Sequence, residues 1–413
     1  MTLARDHAID LDRAIDRVVR SENCTGCGLC ALLDAGVDMK LDAQGFSRPV
    51  RVGPTTAPNG AVGRFQAACP GIRVDAQRPA GSRRHPTMGP VIQTWRAWAT
   101  DPAVRYAGSS GGTLTALAAW LAETGEASRV IGARADSVNP RRTVSVQIQT
   151  REEALASAGS RYAPTSNCAV DGAADADTAF IGKPCEVSAL RALPPVPSQT
   201  STGTGLLLSF FCAGTPSQHA TDSLADRLGV PAEEPIRDLW FRGRGWPGRF
   251  TVVRADGSTA HTSYEDSWGA SLGPAVQWRC KICPDGVGES ADVTAADLWR
   301  SDDRGYPDFT PGPGVSALIA RTGRGRDLVL RAAAAGVLTL APLDIAEIAG
   351  VQPLQRERRQ SLIGRLLGTV LAGGRIPRFH GFTLTLLAAP RLRVAYRAMR
   401  GTYRRRRELG RQA

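Results

Sequence analysis

The chain has 413 residues, is 42% hydrophobic and 22% charged, and carries a formal net charge of +12. These proportions belong to an ordinary folded protein and exclude a low-complexity chain; the length suits two or three lobes. No stretch reaches the roughly 18 consecutive apolar residues of a spanning helix. The opening MTLARDHAIDLDRAIDRVV is charged throughout and lacks the apolar core of a secretory signal. A cytoplasmic protein is the expectation, and in a reducing compartment nine cysteines point to metal binding before disulfides.

Residues 1–85 hold four cysteines and read as a ferredoxin-like iron–sulfur segment that ends in the basic run PAGSRRHP. CTGCGLC places Cys24, Cys27 and Cys30 two residues apart each time, and Cys69 in AACPGI is the natural fourth ligand. A C-x₂-C-x₂-C run with a remote C-P is the ligand pattern of a bacterial-type [4Fe–4S] site. In two-cluster ferredoxins the C-P cysteine follows closely and serves the other cluster. Here 38 residues intervene and there is one triplet, so Cys69 closes the same cluster. Structural zinc prefers its thiolates in pairs, which a triplet fits poorly.

Residues 86–199 alternate between helical and strand patterns. TLTALAAWLAET, stopped by Gly125, reads as a helix; VIGAR, TVSVQIQT and TAFIG read as strands, and EEALASAG and KPCEVSALRAL as helices. Residues 200–345 continue with the buried strand LLLSFF and the helices PSQHATDSLADRLG and RDLVLRAAAAGVL. PPVPSQTSTGTG, at 194–205, reads as a surface seam, and the glycine-, proline- and tryptophan-dense stretch 240–315 as irregular. The expected class is therefore mixed α/β: an N-terminal iron–sulfur segment, a central α/β flavin-binding layer in two parts, and a helical basic tail over 346–413.

In that layer AGSSGG runs straight into a helix, so Ser109, Ser110, Gly111, Gly112 and Thr113 offer N–H groups and hydroxyls at a positive helix end, a seat for phosphate. Without a following G-K-[ST] it is no P-loop. Beside iron–sulfur clusters FAD is the sensible guest, because clusters move single electrons and a flavin joins them to two-electron chemistry. Cys185 and Cys212 each follow a buried strand, where α/β sheets bind ligands, and CKIC adds Cys280 and Cys283. These four read either as a second cluster site or as ordinary buried cysteines. Cys168 is left over. No histidine-centred hydrolase stands out among five histidines, and His219 reads as a capping or surface residue.

The basicity is local. Between Arg391 and Ala413 nine arginines face one acid, Glu408, which leaves about +4 for the other 390 residues. A nucleic-acid reader spreads its charge over a docking face, so RNA or DNA binding is disfavoured and an anionic membrane surface is the better match. Deleting 391–413 is then expected to abolish liposome binding and leave cofactors in place. Only three lysines occur, Lys40, Lys183 and Lys281, and the last two lie in GKPC and CKIC.

Taken together, SSGGTLTALAAWL, GSRY, FIGKPCEVSALRAL, FFCAGTPS, RGRGWPG, CKICPDGVGESADVTAADLW and RSDDRGYPDFTPGPG resemble the coenzyme F420 hydrogenase/dehydrogenase beta-subunit family, which includes 7-hydroxymethyl chlorophyll a reductases. The resemblance runs from about Cys24 to about Gly336. It implies an FAD- and iron–sulfur-dependent oxidoreductase that exchanges electrons with F420 or ferredoxin and an organic substrate. It implies that the loop Ser109–Thr113 contacts FAD, that Ser160, Arg161, Tyr162, Gly182, Lys183 and Pro184 border the isoalloxazine, and that Cys185, Cys212, Cys280 and Cys283 hold a second [4Fe–4S] cluster. Lys183, the tentative catalytic residue, and Lys281 would offset negative charge on flavin or cluster. Two departures stand out: Ala296 replaces a usual glycine, and Glu186 replaces a usual glutamine, adding a negative charge beside the flavin. The competing class is a non-enzymatic zinc-stabilised module whose basic tail docks nucleic acid or membrane. Homo-oligomerisation stays open.

Overall fold

A computed structural model describes residues 2–195, 204–299 and 308–412. The seam at 194–205 and the RSDDRGYP part of the last family-like motif lie largely outside the described residues. An eight-stranded mixed sheet organises the chain. Numbered in chain order, its strands are β1 (Gln93–Ala99), β2 (Arg129–Ala135), β3 (Thr143–Ile148), β4 (Thr178–Gly182), β5 (Leu206–Phe210), β6 (Val293–Asp297), β7 (Ser316–Ala320) and β8 (Leu338–Pro342). Their spatial order is β8-β1-β7-β6-β5-β4-β2-β3. The central four, β2, β4, β5 and β6, are parallel; β3, β7, β1 and β8 add antiparallel edges.

The parallel strands are short apolar runs because both faces are covered. Val130, Ala179 and Leu208 belong to a core shared with Leu117, Leu121, Leu318 and Leu328. Their chain neighbours Ile131, Phe180 and Leu207 point the other way, into a core shared with Leu11, Val18, Leu29, Phe65, Cys27, Cys30 and Cys69. The N-terminal segment is thus packed against the sheet, and the first cysteine set comes to rest on the face that also carries the helix Pro184–Ala192.

Most elements fall where their patterns put them, including the helix Thr113–Thr124, which ends at Gly125 in the left-handed region. The stretch expected to be irregular is more ordered than its composition suggests. It supplies two strands (Arg249–Arg254, Thr259–Ser263) of a three-stranded antiparallel sheet completed by Ile236–Trp240 just before it, a π-helix Glu265–Leu272, and β6 itself. The basic tail is not free. Helix Leu392–Gln412 lies along helix Pro353–Leu371, with Gly364 against the Ala395 carbonyl and Gly368 against that of Met399. The order of these contacts makes the pair parallel, and small residues let the backbones touch. Among the described residues no helix is long and apolar enough to cross a membrane.

Candidate active site

Strands β4 and β5 are parallel neighbours, with Ser209 opposite Gly182, so the chain leaves both at one edge of the sheet. After β4 come Lys183 and the helix Pro184–Ala192; its proline needs no N–H partner in the first turn, where Cys185 sits. After β5 come Phe211 and Cys212. Cys280 and Cys283 arrive on the helical turn Trp278–Lys281 and the residues beyond it. The Cys212 N–H donates to Gly286 O at 2.8 Å, and the Thr215 N–H to Cys280 Sγ at 3.3 Å. Gly214, at φ 141°, allows this approach; a Cβ there would stand 2.8 Å from Val276 Cγ1 and 3.2 Å from Cys280 Cβ. Burial pushes the Cys212 thiol up to about 12, its neighbours Cys280 and Cys283 push the same way, and Arg358 opposes them. Burial also raises Cys283, against Arg279 and Arg358.

Helix Pro353–Leu371 straps this second set. Gln355 and Arg358 donate to Cys212 O at 3.2 and 3.0 Å, Arg358 also reaches Ala213 O, and Arg365 donates to Lys281 O at 2.9 Å. Lys281 is itself held below its ordinary pKa, by burial first and then by Arg405 and Arg365. Part of the segment expected to be a helical basic tail, residues 355–365, therefore packs onto the loops that carry Cys212 and Lys281.

The four cysteines of the first set lie near one another. Gly26 and Gly28, at φ 73° and 90°, let the chain wrap tightly between the cysteines. A Cβ on Gly28 would lie 2.7 Å from the Ala169 N. Cys69 ends the helix Ala61–Ala68. Burial raises the Cys30 thiol, and Cys24, Cys27 and Cys69 all raise it further, so the four are electrostatic neighbours. Cys168 lies between the sets: its N–H donates to Cys27 O at 3.1 Å and its Sγ approaches Glu186 O at 3.6 Å. A hydrogen bond from Cys168 lowers the Cys27 thiol to about 7. Burial raises Cys185, where Cys27 of one set and Cys212 of the other are both felt. All nine cysteines are free thiols. Among the described residues no three Cys, His, Asp or Glu side chains close around a single-ion position.

A cleft of about 570 Å³ opens over the carboxyl ends of β4, β5 and β6. Ser109, Ser110, Gly112, Thr113, Ser160, Arg161, Tyr162 and Lys183 all line it, as does Cys212. Gly111, Gly182 and Pro184 stand behind the wall: Gly111 is pressed on the Ala97 carbonyl and donates its N–H to Ser316 Oγ at 3.0 Å, and a Cβ on Gly182 would meet Glu186 Oε2 at 2.8 Å. Helix Thr113–Thr124 opens from Gly112 at φ 71° without a side-chain cap, so its first N–H groups face the cleft. Ser109 and Ser160 hydroxyls meet at 2.7 Å.

Two of the expected flavin neighbours are already occupied. Lys183 Nζ donates to Thr165 O, Thr165 Oγ1 and Glu186 Oε1 at 3.0, 2.7 and 2.6 Å, which uses all three ammonium protons. Burial would lower its pKa, yet Glu186 and the nearby thiols raise it on balance. Glu186 also accepts the N–H groups of Lys183 and Asn167 at 2.8 and 3.0 Å. The extra charge that Glu186 brings is thus neutralised within the wall. Arg161 donates to Thr143 Oγ1, Pro140 O, Arg142 O and Leu239 O, and burial lowers its pKa to about 10.

The feature sequence reasoning missed is Arg242. It is fully buried, and donates to Pro247 O, Asp297 Oδ2 and Ser109 O at 2.9, 2.6 and 2.6 Å. Its guanidinium lies over Tyr264, Trp299 and Trp246 at 4.6, 4.9 and 5.2 Å from the ring centres. Tyr264 and Trp299 stack at 5.6 Å, and Tyr162 meets Trp268 at 4.9 Å, giving the cleft an aromatic wall. The motif RGRGWPG contains Arg242 and Trp246, but nothing in its spacing says that it reaches the glycine loop.

Two consecutive blocks of the chain match the coenzyme F420 hydrogenase/dehydrogenase beta-subunit family: residues 94–170 match its N-terminal region and residues 175–346 its C-terminal region. Together the blocks contain the second cysteine set and the cleft lining apart from residues 351–355; the first set lies before them. The F420-dependent formate dehydrogenase 1 subunit beta of Methanococcus maripaludis is 25% identical over 201 residues, covering 48% of this chain and 50% of that protein. The chain thus matches about half the length of that curated relative. A chain of the F420-reducing [NiFe] hydrogenase complex from Methanosarcina barkeri superposes with a TM-score of 0.54 at 20% identity, over 72% of this chain and 98% of that one, which speaks for a shared fold.

Proposed function

Because the chain belongs to the coenzyme F420 hydrogenase/dehydrogenase beta-subunit family, we propose that it is an iron–sulfur flavoprotein oxidoreductase passing electrons between F420 or ferredoxin and an organic substrate. The observation that carries the reading is Cys212. It lies beside Cys280 and Cys283 and also lines the cleft that the serine–glycine loop opens into, so a cluster held by this set would border a flavin held in the cleft.

The residues suit those groups. The uncapped start of helix Thr113–Thr124 and the loop hydroxyls fit a pyrophosphate, and the aromatic wall with Tyr264 and Trp299 fits a planar ring system. FAD held there would supply hydride exchange with an organic partner and single-electron exchange with thiolate-bound clusters. Arg242 ties the loop to the end of β6 through Ser109 O and Asp297, which fixes the seat before anything binds. At Cys283 burial raises the thiol, and Arg279 and Arg358 oppose it. The buried Lys183–Glu186 pair keeps the wall between the thiol sets neutral. Cys24, Cys27, Cys30 and Cys69 do not reach the cleft, so their cluster is the outer station and the set at Cys212 the inner one.

The test is anaerobic titration of the purified protein with reduced F420 and, separately, with reduced ferredoxin, following the flavin and cluster absorption. Bleaching by either supports the reading and identifies the partner. A protein that carries both chromophores and responds to neither, nor to dithionite, contradicts it.

A further inference from the structure

On the reading above a one-electron carrier would arrive at the first thiol set, and the surface beside it is not neutral. Helix Thr2–Arg20, the turn after helix Pro353–Leu371 and the last helix enclose a depression of about 590 Å³, lined by Arg13, Arg17, Arg20, Arg375 and Arg406 with Asp16 as its one acid. Asp16 is taken by Arg20 at 3.1 Å and Arg406 by Glu22. Among the described residues Arg17 and Arg375, both exposed, have no carboxylate partner within 4.0 Å. Arg17 lies in the last turn of its helix, where a cation also suits the dipole; Arg375 lies outside any helix.

The depression is joined to the cysteines. Arg20 precedes Cys24 by four residues, and Asn23 Nδ2 donates to the Arg375 carbonyl at 3.1 Å. Gly71, just past Cys69, is so closely packed that a Cβ would meet Val18 Cγ1 at 2.5 Å and Asn23 O at 2.7 Å. The depression is therefore joined through Asn23 to the turn that precedes Cys24, and through Val18 and Asn23 to the turn that follows Cys69. A bilayer presents a flat surface, whereas a concave basic seat accepts a protruding acidic segment. Resting on the reading above, we infer that this depression is the docking site of a small acidic electron-carrier protein, which delivers to the first thiol set. Each encounter moves one electron: the carrier's reduced centre is oxidised and the chain's outer centre is reduced, so two encounters supply one hydride equivalent. No proton or bond is exchanged at this surface.

The experiment uses full-length anaerobic holoprotein, with iron, sulfide and flavin measured first. Reduction by an acidic [4Fe–4S] ferredoxin is compared with reduction by dithionite, which needs no docking. Opposite charges steer association and salt screens them, so the ferredoxin rate should fall with ionic strength. The triple variant Arg17→Glu/Arg20→Glu/Arg375→Glu should lower that rate about tenfold or more and flatten its salt dependence, with the dithionite rate unchanged. The neutral triple Arg17→Ala/Arg20→Ala/Arg375→Ala should fall between. Ferredoxin rates equal to wild type in both variants overturn the inference. So does loss of co-sedimentation with phosphatidylglycerol vesicles at an unchanged ferredoxin rate, which would give the patch to lipid. A chain without sulfide or flavin fails the functional reading instead, and cofactor content separates the two cases.

Discussion

Replacing Arg242 tests how far the seat is pre-built. Its side chain is 1% exposed and its partner Asp297 is 24% exposed. In Arg242→Met the volume is kept, but Ser109 O and Pro247 O lose a charged donor and Asp297 loses its counter-charge. Breaking a buried pair from one side costs about 3–5 kcal/mol. Asp297 can take up water at its exposed edge, so the lower end, about 3 kcal/mol, applies. Arg242→Lys keeps the charge but one ammonium cannot span three acceptors in a fork, and about half that loss is expected. Urea unfolding followed by tryptophan emission reads the effect: with a slope of about 2–3 kcal/mol/M the Met variant should unfold about 1 M earlier. Adding Asp297→Asn should return about 1–2 kcal/mol, because the stranded charge is gone. With Ser109 released from its anchor, FAD retention should weaken about tenfold. A Met variant that unfolds at the wild-type midpoint, or a double variant whose loss is the simple sum, would refute the coupling of loop and strand end through this guanidinium.

The other outcomes follow from single contacts. Lys183→Met should destabilise by about 3 kcal/mol, since it strands Glu186, and Lys183→Met/Glu186→Gln should recover part of that in the same unfolding assay. The folded pKa of Lys183 lies above its ordinary 10.5. Its contribution is therefore complete below that value and lost as pH rises through the folded pKa, which unfolding midpoints between neutral and strongly alkaline pH would register. Gly28→Ala forces a Cβ against Ala169 at a positive φ, and should remove the first cluster while flavin content stays near wild type. Cys212→Ser should lower iron by about four per chain, one cubane. Truncation after residue 390 should also lower iron, because the last helix supports the one that straps Cys212.

The parts of the fold that were legible are those set by short-range physics. Apolar runs such as TAFIG and LLLSF show buried strands, and AGSSGG before an apolar helix shows an open helix start. Cysteine spacing suggested the first set, because three cysteines lie within seven residues. Spacing alone left the second four undecided between a cluster site and ordinary buried cysteines, because their approach depends on the parallel register of β4 and β5 and on the turn at Cys280, which join residues far apart in sequence. Arg242 was invisible for the same reason: its acceptors lie on three separate segments, and a buried arginine looks like any other in a chain with 48. Glu186 read as an added charge beside the flavin because Lys183, its partner, had been assigned elsewhere. The tail read as free because its charge concealed Gly364 and Gly368, the residues that seat it.

The central claim is that eight thiols hold two cubanes beside one flavin. Iron, acid-labile sulfide and flavin assayed per chain on anaerobically prepared protein test it most directly. About eight irons, about eight sulfides and one FAD are predicted. Stoichiometric zinc without sulfide or yellow chromophore would contradict it.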